Sequence, residues 1–187
     1  VTGFASAMMQ KKLGVKFIYV VNKKYKTTNN IYSLWLARHH LVEETIITFA
    51  DLIMSKNIIR KIVKSKKNYS LAIDTSRILD GTMKVKVKSN RLLKIGKSVK
   101  KNANGNFIGV AKIKKNKIKS FRNSLNNIII KKKKDYYTEV FNYLIKKDQA
   151  INYIDVKPDF WAEIDNRQDL EKLKKEIISK NVYNDIR

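Results

Sequence analysis

The sequence predicts an α/β protein with a mostly parallel mixed sheet, flanking helices and an inserted β-hairpin. Three observations predict it. Short β-branched runs bounded by polar turns alternate with stretches whose apolar residues recur at helical spacing. Two lysine-alternating runs flank Ser89-Asn90, a pair suited to a tight turn, so the sheet turns antiparallel there. A chain of 187 residues, 43% hydrophobic, can bury one core, which makes 1–187 a single domain.

Each element follows from its residues in order. Val1 to Phe4 reads as the end of a strand running into a glycine turn, followed by a helical stretch to Lys12 that Gly14 closes. Val15 to Val21 reads as a short strand. The polar loop from Asn22 ends in the helix caps Asn29 and Asn30, and Ile31, Leu34, Trp35 and Arg38 mark a helix through His40. Thr45 to Ala50 is a buried-strand candidate ending at Asp51, and Ser55 caps a helix with Ile58, Ile59, Ile62 and Val63 as its apolar stripe. Tyr69 to Asp74 is a strand; Met83–Lys88 and Arg91–Ile95 form the hairpin; Asn106–Ile113 is a further strand. Asp135 opens a helix with Tyr137, Val140, Phe141, Leu144 and Ile145 inward, and Lys146 and Lys147 complement its C-terminal dipole. Ile151–Val156 is the last long strand. Asp165 or Asn166 then caps a helix that buries Leu170, Leu173 and Ile177.

Composition excludes some functions and leaves others open. No apolar run approaches the ~18 residues a membrane helix needs, so membrane insertion is not expected. The chain has no cysteine, which rules out a disulfide framework and a thiolate metal site and fits a reducing cytoplasm. A net charge of +25 suits a polyanionic partner. Nearly all of that charge is lysine, however, with abundant Asn and Ile and a single Pro, as an AT-rich genome would produce. The segments Lys112–Lys119 and Lys131–Lys134 carry no interleaved aromatic platform, so a nucleic-acid partner is the weaker reading.

The chemistry concentrates near the end of the chain. Trp161-Ala-Glu163-Ile-Asp165 places two carboxylates beside a tryptophan where a short strand runs into a helix, and Asp51 ends a strand far upstream. Carboxylates from distant strand ends can converge on one divalent cation in the crevice at the carboxyl ends of an α/β sheet, where hard oxygen ligands suit Mg²⁺ bound together with phosphates. His39 and His40 point about 100° apart on a helix and lack a third ligand nearby, so they read as surface residues.

Taken in order, Val1-Thr-Gly-Phe4, Asn22 through Tyr25, Thr28-Asn29-Asn30-Ile-Tyr-Ser33-Leu, Ala50-Asp51, Ile95-Gly96-Lys97, Gly105-Asn-Phe-Ile-Gly109, Tyr136-Tyr137 and Trp161-Ala-Glu163-Ile-Asp165 give the chain a family likeness. It resembles the nucleotidyltransferases of the sugar-phosphate and phosphocholine cytidylyltransferase type over almost its whole length. The resemblance implies a nucleotide-diphospho-sugar transferase-like, Rossmann-like fold, N-terminally incomplete, because the family's glycine-rich phosphate loop and the Pro-Lys segment after it are not present. It also implies attack by a small substrate's phosphate or phosphonate on the α-phosphorus of a nucleoside triphosphate, with CTP the expected donor and Mg²⁺ the cofactor. A homodimer is compatible with it. The Thr-Asn-Asn and Glu-Ile-Asp motifs lean toward phosphocholine or an aminoalkyl phosphonate ahead of a sugar 1-phosphate.

By the same resemblance, Asp51 and Asp165 are the metal ligands and Lys97 is the catalytic phosphate-binding group. Glu163 orients the metal shell or contacts substrate. Asn29, Asn30 and Ser33 lie at a helix N-terminus that suits an anion or a base edge, although capping alone would explain them. Tyr136, Tyr137 and Trp161 are candidates for an aromatic box around a quaternary ammonium, with core packing as the alternative. Ordinary readings stand beside the acidic assignments too: Asp51 as a turn aspartate and Asp165 as a helix cap. Ala50 stands where the family usually has glycine, and Asn106 where it often has an acid. Two other identities are kept in view, a lysine-rich nucleic-acid-binding domain and an inactive, truncated remnant of the enzyme.

Overall fold

A computed structural model describes residues 1–179 and 182–186. Its centre is a six-stranded sheet in the order β1 (Thr45–Thr48), β6 (Gly105–Ile113), β3 (Tyr69–Asp74), β7 (Asn152–Asp155), β5 (Arg91–Gly96), β4 (Met83–Lys88). A second, two-stranded sheet pairs β2 (Leu52–Met54) with β8 (Trp161–Glu163). The helices are α1 (Ser6–Leu13), α2 (Asn30–Leu36), α3 (Lys56–Lys64), α4 (Lys115–Lys132), α5 (Glu139–Ile145), α6 (Arg167–Ser179) and α7 (Tyr183–Ile186), with a 3₁₀ turn at Arg38–His40. No described helix is long and apolar enough to cross a membrane.

The mixed α/β sheet with flanking helices is as expected, but its pairing is less parallel than the sequence suggested. β3 and β7 pair in parallel, whereas β6 lies antiparallel between β1 and β3, and β5 is antiparallel to both β4 and β7. β1, β3, β4 and β7 therefore run one way and β5 and β6 the other. Reversed strands slotted between like-directed ones convert most neighbours to antiparallel ladders. The hairpin turn at Ser89-Asn90 has φ of 48° and 59°, the left-handed pair that a tight two-residue turn needs.

Period-2 alternation explains how the sheet feeds two cores. On β3, Leu71 and Ile73 join the large core under α2, α4 and α5, while Ala72 faces the smaller core with Ile58 and Ile62 of α3. On β6, Phe107, Ala111 and Ile113 take the first side, and Ile108 and Val110 take the second. Lys112 is also buried there. It is neutralised by Glu44 at 2.8 Å and donates to the carbonyls of Val63 and Ser65, which ties β6 to the end of α3.

Three expectations need correction. Val15–Val21 forms no strand: Thr2 pairs in parallel with Val21 alone, and Val15 and Ile18 lie open to solvent. Lys115–Lys132, of which the sequence reading names only the charged ends and no helix, is the longest described helix, burying Ile118, Phe121, Leu125, Ile128 and Ile129 at i, i+3, i+4 spacing. In α3, Val63 is half exposed, so the buried stripe narrows to Ile58 and Ile62 with Ile59 at its margin.

Gly109 connects the sheet to the site. Its φ is +93°, and a Cβ there would fall 2.6 Å from the Phe49 ring. We expect Gly109→Ala to cost about 2–4 kcal/mol through backbone strain and overpacking. The measurable result is a fall in melting temperature of roughly 5–10 °C; an unchanged melting curve would contradict the close approach of Phe49.

Candidate active site

Asp51 sits in the turn between β1 and β2, and Asp165 follows β8. The β2–β8 ladder brings them together: Leu52 pairs with Glu163, Met54 pairs with Trp161, and the Ile164 amide donates to the Asp51 carbonyl at 2.8 Å. The Ser55 amide donates to the Phe160 carbonyl and closes the other end. Asp165 itself does not cap α6. Asn166 Oδ1 accepts the amides of Gln168 and Asp169, and Asp169 Oδ2 accepts those of Asp165 and Asn166. That division leaves the Asp165 carboxylate out of the cap, at the mouth of a cavity.

The cavity has a volume of about 690 Å³ and is lined by Asp51, Glu163, Asp165, Lys97, Asn29, Asn30, Ser33, Tyr136 and Tyr137. Thr48, Phe49, Thr82, Leu34 and Leu41 are among the other residues of its walls. Nine of the ten residues expected from the sequence thus meet in one place; Trp161 is the exception. It is buried, its indole N–H donates to Asp74 Oδ2 at 2.9 Å, and it borders a separate cavity with Arg77 and Lys157. Burial works against ionisation of Asp74, but the Ser76 hydroxyl and amide, Trp161 and Arg77 outweigh it and hold the carboxyl below its usual range. Trp161 is therefore a packing residue of β8 and takes no part in an aromatic box.

Electrostatics show how close the acids are. Burial pushes the Glu163 carboxyl up, the charges of Asp51 and Asp165 push it further, and Lys97 pulls it back, leaving it at about 7. Burial is the largest cause of that rise, and the like charges of Asp51 and Asp165 add to it. Lys97 is shifted upward by its hydrogen bond to Tyr136, against burial and with help from Asp165 and Glu163, so it keeps its proton at neutral pH. Among the described residues no group of three or more His, Cys, Asp or Glu is arranged to hold a metal ion by itself.

The polar wall is built by side chains that also hold the fold. Asn30 Oδ1 accepts the Tyr137 amide, Asn29 Oδ1 accepts the Asn30 amide, and Asn22 Nδ2 donates to Thr28 and Ser33. Asn106 stands buried under the opposite wall: its Oδ1 accepts from the Leu79 amide and the Thr82 hydroxyl, and its Nδ2 donates to the Arg77 carbonyl. Sequence reasoning missed Thr48, Thr82 and the apolar wall of Leu34 and Leu41. Only the position of Thr48 at the end of β1, two residues before Ala50, carried a signal for them. His39 and His40 are exposed, as expected.

No protein-family model matches the chain. A curated relative, the CTP:phosphoglutamine cytidylyltransferase of Campylobacter jejuni, is 22% identical over 180 residues, covering 82% of this chain and 70% of the relative. Among solved structures, the inositol-1-phosphate CTP transferase of T. maritima superposes with a TM-score of 0.76 at 22% identity, covering 97% of this chain and 75% of that one. CTP:phosphocholine cytidylyltransferase from Streptococcus pneumoniae gives 0.66 at 17% identity, with 91% and 72% covered.

The raised Glu163 carboxyl makes a prediction about stability. Its native affinity for a proton exceeds its unfolded one, so its contribution is fully present below the ordinary glutamate range and is lost as pH rises through about 7. Glu163→Gln removes that loss. In EDTA the variant should gain melting temperature over the parent at pH 8 and little or none at pH 5; an equal difference at both pH values would contradict the raised proton affinity of Glu163. With its strands, helices and site in these positions, the chain carries the α/β fold of nucleotidyltransferases of the sugar-phosphate and phosphocholine cytidylyltransferase type.

Proposed function

We propose that the protein is a nucleotidyltransferase that moves CMP from CTP to a small phosphorylated acceptor and releases pyrophosphate. The observation that carries this reading is the meeting of Asp51, Glu163, Asp165 and Lys97 in one cavity on this fold. The curated relative and two solved neighbours named above are CTP-using transferases, which supports the donor.

The donor set fits a hard divalent cation, because it consists of carboxylate oxygens lining one cavity. Asp51 and Asp165 would hold Mg²⁺ with Glu163 beside them, and the bound ion would neutralise charge on the triphosphate. The chain's own residues supply the remainder. Lys97, protonated at neutral pH, places a positive charge where phosphate oxygens gather. Ser33, Asn29, Thr48 and Thr82 offer hydrogen bonds that orient the reactants, and Leu34, Leu41 and Phe49 keep one side of the cavity apolar.

In the reaction an oxygen of the acceptor phosphate forms a bond to the α-phosphorus as the bond to the bridging oxygen of pyrophosphate breaks. A deprotonated phosphate needs no base to remove a proton. The machinery accordingly consists of positioning and charge and uses no protein nucleophile.

Asp51→Asn and Asp165→Asn remove charge from exposed positions and should leave the fold intact. Each should lower kcat/KM for pyrophosphate release with CTP and Mg²⁺ by roughly 10²–10³-fold. Undiminished turnover in either variant would refute the metal assignment.

A further inference from the structure

We infer that Asn142, a residue of α5 outside the cavity wall, is a positioning residue for Lys97: its carboxamide closes both backbone groups of Ile95 and so holds the end of β5 from which Lys97 reaches the site. The inference rests on the transferase reading above, in which Lys97 carries the positive charge that meets phosphate oxygens.

The end of β5 needs such a partner. Its described pairing with β7 is the single step at Arg91 and Asn152. Further along, Ile95 is 1% exposed, so an amide or carbonyl left open there would be a buried group without a bond. Asn142 supplies both partners. Its Oδ1 accepts from the Ile95 amide at 3.1 Å, and its Nδ2 donates to the Ile95 carbonyl at 2.7 Å. One side chain thus makes the pair of bonds that a residue of a neighbouring antiparallel strand would make. The carboxamide fits only one way round, because Nδ2 also donates to Glu139 Oε1 at 2.8 Å, and a carboxylate has no proton to give back.

Glu139 links this bond pair to the other support of Lys97. Its Oε2 pairs with Lys132 at 2.7 Å, Lys132 pairs with Asp135 at 2.9 Å, and the Glu139 amide donates to the Tyr136 carbonyl at 3.0 Å. The same cluster therefore holds Tyr136, whose ring centroid lies 5.1 Å from Lys97 Nζ. The ammonium is anchored twice, through its own backbone two residues after Ile95 and through the ring it rests on. Without those anchors the long lysine stem would spread its charge over many rotamers. Asn142 brings no charge of its own to the cavity. Its effect on the reaction passes through Lys97.

A double-mutant cycle separates positioning from plain stabilisation, because a group that acts through Lys97 has nothing to act on once that side chain is gone. The readout is kcat/KM for pyrophosphate release with CTP, Mg²⁺ and either phosphocholine or glucose 1-phosphate, taken below the melting temperature of every variant. Asn142→Ala should lower it roughly 10–10²-fold in the parent protein but less than about threefold in Lys97→Met. No loss in the parent, the same fold-loss in both backgrounds, or undiminished turnover in Lys97→Met would overturn the inference while leaving the transferase reading in place. Asn142→Asp keeps the oxygen that accepts the Ile95 amide and replaces Asn142→Ala in the cycle if the alanine variant does not fold. Titration of inorganic pyrophosphate with Mg²⁺ reads the same coupling without turnover. Absence of pyrophosphate release by the parent with both acceptors would contradict the transferase reading, and the titration would then decide the inference: weaker binding in Asn142→Ala that disappears in the Lys97→Met background upholds it, and any other pattern overturns it.

Discussion

The site depends on a short antiparallel ladder between two three-residue strands. β2 and β8 come from distant parts of the chain, and each alone is too short to persist. Paired, and extended by the hydrogen bond from the Ile164 amide to the Asp51 carbonyl, they set Asp51 and Asp165 at adjoining ends of one small sheet. Trp161 locks that sheet to the large one, since its buried indole reaches Asp74 at the end of β3. Like charge at Asp51, Glu163 and Asp165 opposes the arrangement, so the acids are held together by backbone pairing and packing and not by attraction for one another.

The remaining walls come from side chains that do two jobs. Asn106, buried in β6 where an acid would have been a buried charge, uses its amide to hold both the Leu79–Thr82 turn and the Arg77 carbonyl, which presents Thr82 to the cavity. Asn30 holds the start of α2 to the chain entering α5 and so places Ser33 opposite Tyr136 and Tyr137. Gly109 lets Phe49 press onto β6, and Phe49 in turn braces Tyr137. Active-site shape here is a by-product of how the large core packs.

What could be read from the sequence tracks how locally each feature is encoded. β3, β4, β5, β6 and β7 announce themselves as short apolar or alternating runs bounded by polar turns: β3 and β6 are buried throughout, and β4 alternates between buried and more exposed positions. The direction of β6 does not, because side-chain period is the same whichever way a neighbour runs. α4 was hidden by composition: its apolar stripe is regular, but lysine and asparagine fill the other positions and dominate the reading. Val15–Val21 fails the other way. Its β-branched residues have strand propensity, but among the described residues only Val21 forms a β-bridge, and propensity without a ladder does not make a strand. At the site, carboxylates and polar caps were legible because their roles need specific residue types. For Trp161 the sequence left box and core both open, because an aromatic beside acids looks alike whether it faces a cavity or a core, and its partner Asp74 is nowhere near it in the chain.

The central claim is that Asp51 and Asp165 share one divalent ion with the nucleotide. A crystal structure grown with CTP and Mn²⁺ tests it directly through the anomalous signal of the metal. The account predicts a peak about 2.1 Å from a carboxylate oxygen of each residue, with triphosphate oxygens completing the shell. A peak that touches only one of the two aspartates, or that lies in another part of the molecule with CTP bound, would contradict it.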